Sequence, residues 1–106
     1  MNKPVKKTTS KIFDLIDKAL NSGEYLITQH GRVRSQERKV TTLQIVKALR
    51  SPQRKHEGKK DKYVDGMEDW NYSIRSKDND ERSLRIIISF TDQMLIITVI
   101  VLNEAI

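Results

Sequence analysis

The chain is predicted to be an α+β domain, with N-terminal helices packed on one face of an antiparallel sheet. Apolar residues recur at helical spacing through the first half, give way to strict alternation, and end in two runs rich in β-branched residues. The order is therefore helices first, strands after. A length of 106 residues suits one core better than two. We expect a flexible basic arm over 1–9 and a single domain over 10–106.

Ser10 or Thr9 is placed to cap a first helix in which Ile12, Phe13, Leu15, Ile16, Ala19 and Leu20 share a side, and Gly23 is placed to end it. Tyr25, Leu26 and Ile27 follow as a short extended anchor. Thr28 to Arg38 then reads as a second helix whose only apolar side chain is Val33, so packing alone gives little reason for it. Gly31 is read as tolerated within the first turn, the alternative being close approach of a backbone or ligand. In a third helix, Thr41 and Gln44 form the ends of a capping box, Val40 and Ile45 have the spacing of a hydrophobic staple, and Ile45, Val46, Ala48 and Leu49 supply the buried side. Pro52 stops it at Ser51.

From Ser51 to Gly66 the chain is polar, which predicts a mobile loop or an edge hairpin. Trp70, Tyr72 and Ile74 alternate with Asn71, Ser73 and Arg75, the period of a half-buried strand. SKDND is a turn. Ser83 to Phe90 and Met94 to Leu102 are apolar on both faces, as strands in the middle of a sheet are.

Twenty Lys plus Arg against fourteen Asp plus Glu give a net charge of +6 and a pI near 9.7, a balance that suits a polyanion partner as well as plain solubility. The absence of cysteine excludes disulfides, thiolate zinc sites and a cysteine nucleophile. The opening MNKPVKKTTS lacks the apolar run of a signal peptide, so a cytoplasmic location is expected. Thr91, Asp92 and Gln93 interrupt the most apolar region, and no membrane partner is expected. His30 and His56 lie far apart without carboxylates at ligand spacing, and the glycines are scattered; neither a metal nor another cofactor is expected.

At about 100° per residue, His30, Arg34 and Glu37 fall within one narrow arc of the second helix, with Arg38 beside it. Cleaving RNA without a metal requires a group that helps the 2′-hydroxyl lose its proton, one that protonates the leaving oxygen, and cations that stabilise the added charge. Histidine titrates near neutrality, which makes His30 the proton-transfer candidate. Arg34 and Arg38 stay charged and present a fork that matches phosphate oxygens. Glu37 is read as orienting an arginine. A solvated helix surface is the bland alternative for the whole arc.

The strands add Arg75, on the face opposite Tyr72 and Ile74, and Arg85, a charge in an otherwise apolar strand. Both are candidate phosphate contacts. Thr98 and Tyr72 are supporting candidates, Tyr72 as a base-stacking ring or as core. Lys59, Lys60 and Lys62 would steer RNA toward the site.

The segment ITQHGRVRSQERKVTTLQIVKAL resembles the signature of an uncharacterised family of small bacterial domains: His, a small residue, two variable residues, Arg, three variable residues, Arg, and then a capped helix. His30, Gly31, Arg34 and Arg38 fill those places. The likeness continues through Pro52, the strand around Tyr72 to Arg75 and the closing LIITVIVL, roughly residues 10–102. Gly31 stands where alanine is frequent, and no tyrosine follows the final strand. Such domains are usually placed beside the RelE-like and BrnT-like toxins of toxin–antitoxin systems. The resemblance implies a RelE-like fold with about four antiparallel strands, metal-independent cleavage of RNA, free or ribosome-bound, and control by an acidic antitoxin protein. It carries over His30, Arg34 and Arg38, and more loosely Arg75, Arg85 and Thr98. The competing expectations are a non-catalytic nucleic-acid-binding module and a protein-interaction domain of a mobile-element system. Oligomeric state is left open.

Overall fold

The computed structural model describes residues 3–78 and 81–102. Among these the chain forms α1 (Thr9–Ser22), β1 (Tyr25–Ile27), α2 (Gln29–Glu37), α3 (Thr42–Arg50), β2 (Lys55–His56), a 3₁₀ turn (Gly58–Lys60), β3 (Tyr72–Lys77), β4 (Ser83–Phe90) and β5 (Met94–Leu102). The predicted helices and long strands are all present. Of the SKDND turn, residues 79 and 80 lie outside the described residues.

Local chemistry explains the helix ends. Thr8, not Ser10 or Thr9, caps α1: its backbone is extended and its hydroxyl accepts the Lys11 amide, whereas the Thr9 hydroxyl is engaged by His56 at 2.7 Å. Gly23 closes α1 at φ +78°, a conformation that suits glycine. The Thr41–Gln44 capping box of α3 is complete, with both reciprocal bonds made.

The sheet corrects the expectation of about four antiparallel strands. It has five described strands, in the order β1-β5-β4-β3-β2, and it is mixed because β1 runs parallel to β5. Tyr25, Leu26 and Ile27 pair with Met94, Leu95 and Ile96. At the other edge Lys55 and His56 pair with Arg75 and Ile74, so the polar segment after α3 is an edge strand and not a free loop. Both additions are short strands that occupy edges otherwise open to pairing with another chain.

One face of the sheet holds the core. Tyr72 and Ile74 of β3, Leu84, Ile86 and Ile88 of β4, and Met94, Ile96 and Val99 of β5 are buried against Ile12 and Ile16 of α1 and Ile45, Ala48 and Leu49 of α3. Each of the buried Ile, Leu, Val and Met side chains is worth about 1.5–3 kcal/mol in removal from water. Arg54 secures the helix layer, forming a two-point ion pair with Asp17 at 2.7 and 3.1 Å and resting on the Phe13 ring.

The opposite face carries Ser73, Arg75, Arg85, Ile87, Leu95, Thr98 and Ile100. No described helix covers it, and its larger side chains are all partly exposed. A bulge makes Ile97 an extra residue in β5, since Ile87 pairs with Thr98 but Ile88 with Ile96. Residues 3–8 lie across one end of the sheet, where Trp70 donates its indole N–H to the Pro4 carbonyl and Lys6 pairs with Asp61 at 2.8 Å. No helix among the described residues is long and apolar enough to cross a membrane.

Candidate nucleic-acid interface

The polar helix α2 is held on the edge of β5 rather than over a face. Its N-cap Thr28 donates its amide to the Ile96 carbonyl at 3.0 Å and its hydroxyl to the Ile97 carbonyl at 3.3 Å, while accepting the Gly31 amide. Farther along, the Arg38 guanidinium donates to the Val99 carbonyl at 2.6 Å. Between these clamps Gly31 is buried so closely that a Cβ there would lie 2.8 Å from the Ile96 oxygen. Gly31 is therefore a close-approach glycine and not merely a tolerated one. The helix lacks an apolar face because it caps carbonyls at a sheet edge instead of filling a core.

This seating assigns the two flanks of α2. Arg32, Ser35 and Gln36 line a cavity of about 370 Å³ with Val40, Thr41 and Thr42, on the side of the helix layer. With Gly31 and Ser35 directed at β5, the helical period turns the other flank, His30, Arg34 and Glu37, toward the uncovered sheet face. His30 is exposed and its imidazole makes no hydrogen bond with the described residues. Arg34 and Glu37 form a partly exposed ion pair at 3.1 Å, consistent with Glu37 orienting the arginine. Such a pair contributes little to stability, about 0–1 kcal/mol.

Arg38 serves a different purpose. Its bond to Val99 holds the helix in place, and Arg38→Ala is expected to lower stability by about 1–2 kcal/mol, read from the denaturant midpoint, because it strips a part-buried carbonyl of its donor. An unchanged midpoint would show that the clamp is dispensable.

Across the uncovered face the register places Ile100, Arg85, Arg75 and Lys55 in one row over β5, β4, β3 and β2. Neighbouring strands are about 4.8 Å apart, so Arg75 and Arg85 are direct like-charged neighbours, an arrangement that needs an anion. Glu57 supplies it. Its carboxylate accepts from Arg85 Nε at 2.8 Å and Nη2 at 3.2 Å and from the Ser73 hydroxyl at 3.2 Å. The Arg85 bonds, with smaller contributions from Ser73 and the charge of Arg75, hold its carboxyl below the usual range against the opposing effect of burial. The stability Glu57 contributes is thus present above its unfolded pKa and is lost as pH falls through the lower folded value. Lys55, Glu57, Arg75, Lys77 and Ser83 line an open groove of about 750 Å³.

The remaining predicted residues are dispersed. Lys59 and Lys60 are exposed on the 3₁₀ turn and Lys62 bridges to Asn71, all at the sheet edge opposite α2. Thr98 sits at the bulge on the uncovered face beside Ile87. Tyr72 cannot stack on a base: it is fully buried, its hydroxyl donating to Asp69 at 2.6 Å and accepting the Lys7 amide at 3.1 Å, and burial pushes its phenol above the ordinary value. Sequence reasoning missed Lys55 and Glu57 as partners of the arginine row, because a two-residue edge strand has too little pattern to set its register. It also missed a relay in which Thr9 meets His56 Nδ1 and Asp61 meets His56 Nε2, each at 2.7 Å. Among the described residues no three His, Asp or Glu side chains gather as a metal site.

Residues 27–101, from the end of β1 through nearly all of β5, match the family described as "Domain of unknown function (DUF4258)". The chain belongs to this family. The DUF4258 match takes in α2, the arginine row and Glu57, and begins after α1. No curated protein and no solved structure matches the chain. The uncharacterised small-domain family expected from the His-small-x-x-Arg pattern is thus met at the level of DUF4258.

Proposed function

We propose that this DUF4258 chain is a metal-independent endoribonuclease of the toxin type, cleaving RNA laid across the uncovered sheet face. The reading is supported by the helical period and the seating of α2 on β5, which turn the His30–Arg34 flank toward the face that carries Arg85 and Arg75. In this reading the 2′-oxygen attacks the adjacent phosphorus, the bond to the 5′-oxygen breaks, and a cyclic phosphate and a free 5′-hydroxyl result. His30, exposed and unbonded, exchanges the proton, and Arg34, steadied by Glu37, engages the non-bridging oxygens. Arg38 positions the helix. The resemblance to RelE-like and BrnT-like toxins adds a cytoplasmic setting and an acidic antitoxin partner to the same proposal.

The test is cleavage of end-labelled RNA in EDTA. His30→Ala and Arg34→Ala are each expected to reduce the rate by about 100-fold or more, while stability changes by less than about 0.5 kcal/mol because both side chains lie on the surface. Mutants as active as the parent would remove both residues from the mechanism. A second reading, a non-catalytic nucleic-acid-binding module, is favoured by the cation row, which needs no histidine; salt-sensitive binding without product would select it.

A further inference from the structure

Glu57 stands where a ligand would be expected. The fork that Arg85 offers through Nε and Nη2 matches two oxygens of a phosphate as well as it matches a carboxylate, and here Glu57 fills it. The flanking cations are Arg75, directly opposite Arg85, and Lys55, directly opposite Arg75. The pair keeps partial access to solvent: the Arg85 and Glu57 side chains are 20% and 19% exposed. The Glu57 carboxylate takes up the fork of one arginine, Arg85, whereas a phosphate could engage the cations of the row together.

The backbone makes exchange simple. The Glu57 amide donates to the Ser73 carbonyl at 2.8 Å, continuing the β2–β3 pairing, so the main chain is fixed. Only the side chain must rotate, giving up the bonds to Arg85 and to the Ser73 hydroxyl. No loop has to open.

We infer that Lys55, Arg75 and Arg85 form a second phosphate subsite, apart from the one at α2, which Glu57 occupies as an internal competitor until a phosphate of bound RNA displaces its carboxylate. The inference rests on the reading that RNA crosses this face. Glu57 then sets a threshold: isolated phosphates and short oligonucleotides compete poorly with a tethered carboxylate, and a strand that also engages Arg34 succeeds through its second attachment.

The experiment is fluorescence anisotropy with 2′-O-methyl RNA, which lacks the attacking hydroxyl, across a series of salt concentrations. Glu57→Gln is expected to bind about three- to tenfold tighter near 0.1 M salt, with a log–log salt slope steeper by about 0.7, because one more cation meets the strand. Its thermal midpoint falls at the same time, since Arg85 loses the carboxylate it is paired with. Affinity and stability thus move in opposite directions, whereas a merely structural Glu57 would lower both. Arg85→Ala is expected to weaken binding, and the Glu57→Gln/Arg85→Ala double variant to bind no tighter than Arg85→Ala alone.

Glu57→Gln binding equal to or weaker than the parent overturns the inference. If Arg34→Ala weakens RNA binding while variants at Glu57 and Arg85 leave it unchanged, the subsite is wrong and the RNA reading stands. Titrating Glu57→Gln, in which the competing carboxylate is gone, with inorganic phosphate, followed through the Arg85 Nε–H resonance, separates the converse case. A shift there, with no RNA binding by any variant, keeps the subsite and removes RNA as its ligand; an unmoved resonance at high phosphate counts against the subsite itself.

Discussion

Gly31→Ala is expected to destabilise the protein by about 1–3 kcal/mol, although alanine is the better helix former by about 1 kcal/mol. The added methyl would sit 2.8 Å from the Ile96 oxygen and 3.1 Å from both the Ile97 oxygen and Ile27 Cγ2. Two of those three neighbours are backbone atoms in a paired strand, which cannot turn aside as a side chain can. The helix must move instead. Moving it stretches the Thr28–Ile96 bond and the Arg38–Val99 bond together, so the cost spreads along the whole edge. For a domain of this size each kcal/mol lowers the midpoint by about 4–8 °C. The same movement displaces His30 and Arg34, so the proposed RNA cleavage is expected to fall with stability. A gain of about 1 kcal/mol in thermal unfolding, the value for an unconstrained helix position, would show that α2 is not seated as described.

The second large effect is expected at Asp69, which is 3% exposed. One carboxylate oxygen accepts from the Tyr72 hydroxyl at 2.6 Å and the Trp70 amide at 2.8 Å, and the other pairs with Lys7 at 2.7 Å. Asp69→Ala leaves three donors without their acceptor, one of them at the end of a fully buried ring. Because Lys7 keeps partial access to water, the expected loss is about 2–4 kcal/mol rather than the full cost of a stranded buried charge. Tyr72→Phe, which leaves Asp69 bonded to Lys7 and Trp70, is expected to cost about 1 kcal/mol. Denaturant midpoints for the two variants should therefore fall in that order. Equal losses would mean that the tyrosine hydroxyl alone carries the network.

The legible parts of the chain are those whose signal is local. The capping box of α3, the glycine stop of α1 and the bounds of β4 and β5 follow from neighbours within a few residues. The arc of His30, Arg34 and Glu37 is legible for the same reason, because helical period alone puts them together. Register across the sheet is a different matter. Arg75 and Arg85 could be named singly, yet that they face each other, with Lys55 next in the row and Glu57 between charges, depends on pairings between segments far apart in sequence. Tyr72 alternates correctly for a strand, and only the depth of the core removed it as a stacking ring.

By itself the sequence determined the kinds of element, their order and which side chains share a helical arc, because short-range sterics and hydrophobic period act within a few residues of each position. The tertiary structure decided what those elements are for. It placed β1 parallel to β5, set the polar helix on a strand edge through Gly31 and Arg38, and gave Arg85 a carboxylate from 28 positions away. Those outcomes follow from burying one sheet face and satisfying the carbonyls of one edge, conditions that exist only once distant segments have met.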